Sequence, residues 1–137
     1  MTLPPFSCAC PEKGLAPAVG DRADYYRWLF FAAGPVEQAI TNCQLGWTPT
    51  AEQKKGVGYG CYDDVINTLE QAVKEKRFIA SHAFSAVDIY TGGQIDWGLR
   101  FGTVPQRPAF VDYITRLRER PAYKKAQEID SALVAAM

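Results

Sequence analysis

One stretch, residues 78–101, constrains the fold more than any other. Ser85 is followed three residues later by Asp88, the spacing of a capping box, in which each residue's side chain accepts a hydrogen bond from the other's backbone amide. Phe84 and Ile89 flank the box as a hydrophobic staple. Apolar or small residues then occupy nearly every direction around the helix, which predicts a central helix with others packed around it. These residues are Ala86, Val87, Ile89, Tyr90, Gly92, Gly93, Ile95, Trp97 and Leu99.

Length and charge limit the functions open to this chain. Its 137 residues suffice for one substantial hydrophobic core and are too few for two. The 15 basic and 15 acidic residues cancel, which argues against a nucleic-acid partner. No apolar run approaches the roughly 18 residues that a membrane-spanning helix needs, and residues 1–10 do not resemble a secretory signal. We therefore expect a soluble cytoplasmic protein with no membrane partner.

The N-terminal segment differs in composition from the rest. Residues 1–20 hold four of the nine prolines, which predicts irregular structure. Asp21 can cap a first helix over about 22–45. Because a proline removes a helical hydrogen bond and clashes with the preceding turn, Gly34 and Pro35 predict a kink in this helix.

The first helix carries two apolar stripes. Tyr26, Leu29 and Val36 recur on one side, and Tyr25 and Trp28 belong to the other. A domain of this size needs only one stripe for its own core. We expect the stripe with Tyr25 and Trp28 to meet a partner surface, a ligand or solvent.

Three further helices complete an all-α, five-helix bundle over 21–137. Thr50 and Gln53 form a second capping box ahead of an amphipathic helix. A fourth helix runs over 108–118, and Pro121 opens a fifth. No stretch alternates with period two for long enough to predict a strand. The inner positions predicted for the fifth helix are Ala122, Ala126, Ile129 and Leu133.

The cysteines and the single histidine give little indication of a metal, redox or catalytic site. Cys43 and Cys61 are interpreted as small apolar fillers. Cys8 and Cys10 could serve a metal or redox site, but the pair lacks a Cys-x-x-Cys spacing. A catalytic pairing of a cysteine with His82 is a weaker alternative to a solvated loop histidine. We predict no catalytic residue and no metal site.

Several motifs, taken in order, resemble the C-terminal helical domain of the glutathione S-transferases. Together they cover about residues 12–130. They are RADYYRW at 22–28, FIA at 78–80, FSAVDI at 84–89, Trp97, PAF at 108–110 and RLRERPAY at 116–123.

The resemblance implies a two-domain enzyme. In that family a thioredoxin-like domain binds glutathione and activates its thiol, while the helical domain supplies the apolar wall for an electrophilic substrate and part of the dimer interface. Twenty residues before Asp21 cannot build a thioredoxin-like domain. The expectation is therefore a truncated or split product that binds no cofactor alone. Glutathione would be the co-substrate if a thioredoxin-like domain or second subunit were supplied, with a hydrophobic small molecule as the other ligand.

The resemblance also implies site residues. Phe30, Gly34 and Glu37 would line the ligand side of the first helix as apolar wall, open space and hydrogen-bond acceptor, and Trp97 would close the pocket. A structural role competes for each, because Phe30 and Trp97 suit a core, Gly34 suits the kink and Glu37 suits a solvated surface.

Other residues carry over as structural or interface residues. Ser85 and Asp88 are folding residues rather than catalytic ones. Tyr25 and Trp28 are assigned to an interface, and a stand-alone dimerisation or binding module built on them is the alternative function.

The chain departs from the family pattern at two positions. Ser81 replaces a usual glycine, which predicts strain in a left-handed turn, and Val87 replaces a usual alanine, which predicts crowding. A basic cluster could attract an anion or form a solvated face; it comprises Arg116, Arg118, Arg120, Lys124 and Lys125.

Overall fold

The computed structural model describes residues 11–136, and within that range it contains five helices and no strand. The prediction of an all-α, five-helix bundle is confirmed. Helix α1 comprises three consecutive pieces, Ala23–Phe31, a π-helical segment Ala32–Val36, and Glu37–Gln44; α2 is Tyr62–Val73, α3 is Ala86–Phe101, α4 is Pro108–Arg118 and α5 is Pro121–Ala135. Helix α3 packs against α1 and α4, α2 also packs between α1 and α4, and α5 packs on α4.

The irregularity predicted in α1 takes the form of a π-helical segment. Pro35 lies inside it and lacks the amide hydrogen that an α-helix would use, so a wider turn accommodates the missing bond. The helix begins at Ala23, with Arg22 rather than Asp21 at the cap position.

Both apolar stripes of α1 reach the core, including the one that was expected to face a partner, a ligand or solvent. Tyr25 and Trp28 are buried in the hydrophobic core, with 1% and 6% of their surface exposed, whereas Phe30 is 69% exposed. The interpretation of Tyr25 and Trp28 as an exposed interface stripe is therefore wrong. Helical periodicity identifies both stripes equally well, and the packing of α1 against α2 and α3 buries Tyr25 and Trp28 together with Val36 of the other stripe.

The second capping box forms without starting a long helix. The Thr50 amide donates to Gln53 Oε1 at 2.9 Å and the Gln53 amide donates to Thr50 Oγ at 3.3 Å. Only a short 3-10 turn, Gln53–Lys55, follows. Gly60 has φ +76, a conformation outside the helix, and α2 therefore starts only at Tyr62.

The capping box at the start of α3 is confirmed in both directions. The Ser85 amide donates to Asp88 Oδ2 at 3.0 Å. Asp88 is fully buried and also accepts from the Ile79 amide at 2.9 Å and the Tyr113 hydroxyl at 2.7 Å. Burial, followed by the charge of Asp88, raises the pKa of Tyr113 far above its ordinary value. The carboxylate thus ties α3 to α4 and to the preceding loop.

Helices cover only part of α3, which corrects the prediction that it is surrounded. Val87 and Ile95 are fully buried on the inner side. The other side exposes four large apolar residues: Ile89, Tyr90, Trp97 and Phe101.

Two glycines explain how closely α3 approaches its neighbours. A Cβ at Gly98 would collide with the side chain of Val104, and one at Gly92 would lie 2.5 Å from Leu117 Cδ1. Gly98 therefore requires glycine for packing rather than for backbone conformation, whereas a side chain at Gly92 would require Leu117 to move.

Helix α5 contributes no buried residue. Its predicted inner positions Ala122, Ala126, Ile129 and Leu133 are all exposed, so that prediction is wrong. The periodicity is present, but α5 reaches mainly α4 and leaves a gap beside α3.

The predictions for Ser81, for the two cysteines Cys43 and Cys61, and for His82 have different outcomes. Ser81 does not adopt a left-handed conformation; its hydroxyl donates to the Ala83 carbonyl at 2.9 Å, so the predicted strain is wrong. Cys61 is buried as expected, whereas Cys43 is exposed and is not a core filler. His82 is exposed in its turn.

Cys8 and Cys10 lie outside the described residues. Within the described part of the chain, no cluster of histidine, cysteine or acidic residues could hold a metal ion. No helix there has the length and apolar character needed to cross a membrane.

Candidate functional site

A cleft of about 1020 Å³ opens between α3 and α5. One wall is the exposed side of α3 and the other is formed by small side chains of α5, including Ala122 and Ala126. Leu15 and Phe84 line it as well, and α4 contributes Ile114, Leu117 and Arg118. The cleft is therefore mostly apolar, and Asp96 with Arg100 and Arg118 forms one charged cluster within it.

The α3 wall offers a bare strip of backbone between two large side chains. Ile89, Gly93 and Trp97 are spaced four residues apart and line the cleft together. A Cβ at Gly93 would meet no atom within 4 Å, so the space above it is open. Trp97 is 64% exposed, and its ring lies 4.5 Å from the ring of Phe101, centroid to centroid. Such a wall can accept a flat or branched apolar group.

Asp96 is the polar centre of the cleft and is only 7% exposed. Arg118 on α4 donates to its Oδ1 from Nε at 3.1 Å and from Nη2. The Tyr123 hydroxyl on α5 donates to Oδ2 at 2.5 Å, and Arg100, one turn further along α3, donates to the same oxygen at 3.3 Å. Three helices thus meet at one carboxylate.

The electrostatics of this cluster favour the charged form of Asp96. Burial alone would raise the pKa of Asp96, but the hydrogen bonds from Arg118 and Tyr123 and the two guanidinium charges outweigh it and hold the pKa below its ordinary value. The hydrogen bond to Asp96 raises the pKa of Arg118. Burial, and then the bond to Asp96, raises the pKa of Tyr123. The network is stable as an ionised carboxylate, two cations and a neutral phenol.

The arginines of the cleft are engaged within the protein. Arg118 binds Asp96, and the Arg120 guanidinium lies 3.4 Å from the centroid of the Phe84 ring. Arg100 donates to Tyr123 and Gln127 as well as to Asp96.

Part of the predicted basic cluster is likewise engaged in contacts within the protein. Arg116 donates to the Lys76 carbonyl at 2.7 Å, and Arg118 and Arg120 have the partners described above. Lys124 and Lys125 are exposed. The cluster is therefore partly structural and partly solvated.

The ligand face proposed on α1 is separate from this cleft. Phe30, Gly34 and Glu37 are all exposed, and a Cβ at Gly34 would meet no atom within 4 Å. None of the three lines the cleft that contains Trp97. The structure thus brings Trp97 together with Asp96 and Tyr123, and leaves the three α1 residues on a surface of their own.

The Asp96 cluster was not found from the sequence. Its signal was an acidic residue within the otherwise apolar α3, four positions before Arg100. The partners Arg118 and Tyr123 lie 22 and 27 residues away. No local pattern pairs residues at those separations.

Comparison with known proteins identifies the fold. The chain superposes on the structure of a sphingomonad glutathione S-transferase complexed with glutathione, with a TM-score of 0.67 and 24% sequence identity. The alignment covers 91% of this chain and 63% of that enzyme, so the chain spans less than two thirds of the enzyme's length. No protein-family model matches the sequence, and no curated protein does either. The fold expected from the sequence motifs is confirmed.

Proposed function

We propose that this chain acts as the helical domain of a cytoplasmic glutathione S-transferase-like protein. In this proposal its exposed surfaces receive two partners, an apolar electrophilic substrate and a thioredoxin-like domain that binds glutathione. The observation that carries the proposal is the combination of a glutathione S-transferase fold with large exposed apolar side chains on α1 and α3. Exposed apolar surface of this kind is typical of binding sites and interfaces.

The α1 surface is proposed as the electrophile wall. Phe30 would contact the apolar body of the substrate, the open space at Gly34 would admit it, and Glu37 could accept a hydrogen bond from an amine. The reaction would be attack of a glutathione thiolate on an electrophilic carbon, with formation of a carbon–sulfur bond and departure of the leaving group. Activation of the thiol would belong to the thioredoxin-like domain, so no conjugation by this chain alone is expected.

The α3–α5 cleft is proposed as the place where the thioredoxin-like domain docks. The Ala86 amide donates to the Leu15 carbonyl at 2.8 Å, and Leu15 lines the cleft. The N-terminal segment is thereby held at the edge of the cleft. A domain that precedes the helical one, as the resemblance implies, would be joined to the chain next to this opening. The apolar wall with Trp97 suits apolar side chains of such a domain.

Two assays test this proposal. The purified chain, glutathione and chlorodinitrobenzene are expected to give no thioether above the uncatalysed rate. Addition of the thioredoxin-like domain of a bacterial glutathione S-transferase is expected to shift the tryptophan fluorescence through Trp97 and to restore conjugation. Glutathione-dependent turnover by the chain alone would contradict the proposal that thiol activation belongs to the thioredoxin-like domain.

A pair of substitutions separates the two surfaces. Gly93→Phe fills the cleft and should prevent docking of the thioredoxin-like domain, whereas Gly34→Phe should leave docking intact and weaken electrophile binding. If Gly93→Phe leaves docking unchanged, the domain binds elsewhere. If the chain instead forms a tight homodimer that Trp97→Asp disrupts, the stand-alone dimerisation module is the better description.

A further inference from the structure

Helix α5 buries no apolar side chain against the rest of the domain. It has no buried residue, and Ile129, Leu133 and Val134 remain 52%, 62% and 72% exposed. A surface helix normally gains most of its stability from burying an apolar face. Other interactions must therefore set the position of α5.

Polar side chains near the start of α5 supply those interactions. Tyr123 and Gln127, one turn apart, both face the cleft. Tyr123 donates to Asp96 at 2.5 Å, and Arg100 donates to Tyr123 at 2.7 Å and to Gln127 at 3.3 Å. Within the described residues, these are the side-chain hydrogen bonds that join α5 to another helix. We call these hydrogen bonds the α5 tether. They involve only about the first two turns of α5.

The tether spans a gap between α5 and α3. Small residues lie on both walls, with Gly93 on one helix and Ala122 and Ala126 on the other. Small side chains permit two helices to approach closely, yet a gap of about 1020 Å³ remains. Asp96 and Arg100 reach from α3 to α5 on one side of this gap, where they bond to Tyr123 and Gln127.

We propose that Asp96 is a positioning residue whose carboxylate, through Arg118, Arg100 and Tyr123, fixes the angle of α5 and so keeps the cleft open for its partner. Asp96 is 7% exposed and bound on both oxygens, so it is restrained by α4 as well as by α5. The carboxylate thus transmits the position of the packed helices α3 and α4 to α5, which packs on α4 without burying a residue. Only the benefit to docking rests on the function proposed above; the control of α5 does not.

Hydrogen exchange of the isolated chain tests the tether directly. Peptides from α5 should be protected in the parent protein, and Tyr123→Phe should accelerate their exchange by about tenfold, the effect expected for one hydrogen bond to a charged group. Asp96→Asn removes the charge as well and should accelerate it by about a hundredfold. Peptides from α1 and α2 should exchange as in the parent protein. Asp112→Asn, at an exposed position of α4, is the matched control and should change nothing.

A charge-preserving variant separates positioning from simple loss of structure. Asp96→Glu keeps a carboxylate and should restore part of the α5 protection lost in Asp96→Asn. An α5 that exchanges equally fast in parent, Tyr123→Phe and Asp96→Asn would overturn the proposal, as would an Asp96→Glu variant no better than Asp96→Asn. If Asp96→Asn fails to fold, Tyr123→Phe decides the outcome, because it removes one hydroxyl and leaves the charge balance intact.

Docking is measured separately. With the thioredoxin-like domain as the probe, Asp96→Asn, the variant that loosens α5 most, should lower the affinity by the factor by which the fraction of molecules with an ordered α5 falls. If the two substitutions, Tyr123→Phe and Asp96→Asn, loosen α5 but the parent protein does not bind the probe, the tether is supported and the proposed docking is contradicted. Unchanged affinity in a variant whose α5 is mostly unprotected would show that the cleft angle does not matter for docking and would overturn that part of the inference.

Discussion

Tyr113 on α4 donates a hydrogen bond of 2.7 Å to Oδ1 of Asp88 on α3, and both residues are fully buried. The carboxylate also accepts from the Ile79 amide and from the amide and hydroxyl of Ser85. A buried carboxylate is costly unless hydrogen bonds compensate it. Here four donors compensate the carboxylate. Two belong to the cap residue Ser85, one to Ile79 in the preceding loop and one to Tyr113 on α4. The start of α3 is therefore fixed by local and long-range contacts together.

Tyr113→Phe removes one of these donors and keeps the ring. We expect it to lower the free energy of unfolding by about 1.5–3 kcal/mol, the range for a hydrogen bond to a charged group. Urea denaturation followed by circular dichroism measures this. Tyr90→Phe, at an exposed position of α3, is the control and should stay within about 0.5 kcal/mol of the parent. Equal effects of the two substitutions would show that the Tyr113 hydroxyl contributes nothing.

Ser85 and Asp88 should differ in cost although both belong to the capping box. Ser85→Ala loses a cap and should cost about 1 kcal/mol. Asp88→Ala leaves the Ile79 amide and the Tyr113 hydroxyl without their acceptor as well, and should cost about 3 kcal/mol or more. The same denaturation experiment compares them. If the two variants are equally stable, Asp88 acts only as a cap and the contacts to Ile79 and Tyr113 are unimportant.

Two glycines of α3 should respond in opposite directions to alanine. Gly98→Ala places a methyl group against Val104 and should destabilise by about 1–3 kcal/mol through overpacking. Gly93→Ala meets no atom within 4 Å and should stabilise by about 0.5–1 kcal/mol, because alanine loses less conformational entropy in a helix. Thermal unfolding of the pair provides the measurement. A destabilised Gly93→Ala would mean that the open space beside α3 is occupied.

The Asp96 cluster should make stability depend on pH in acid. The native pKa of Asp96 is lowered relative to the unfolded chain, whose value is about 3.9. Its contribution is therefore complete above about pH 3.9 and is lost as the pH falls through the lower native pKa. The difference in unfolding free energy between the parent and Asp96→Asn should be constant near neutral pH and shrink at more acidic pH. A difference that stays constant throughout would show that the charge of Asp96 contributes nothing.

Local signals in the sequence were reliable for several elements. The capping box at Ser85 and Asp88 is present, and α4 and α5 begin at Pro108 and Pro121 as predicted. Gly102, in the left-handed conformation with φ 74, ends α3. Each of these features depends on residues within about four positions of one another, whose relative placement the helix geometry itself determines.

Other features were decided only by the tertiary structure. The stripe of α1 with Tyr25 and Trp28 could have remained at the surface, but it is buried together with Val36 of the other stripe. The apolar positions of α5 could have been buried, and they are not. Asp96 could have been a solvated charge, but Arg118 and Tyr123 reach it from two other helices. The amino-acid sequence alone thus determined where α3, α4 and α5 begin, because capping and the preference for proline in the first turn are short-range. Which faces are covered was left to the fold, because burial depends on residues that approach from distant parts of the chain.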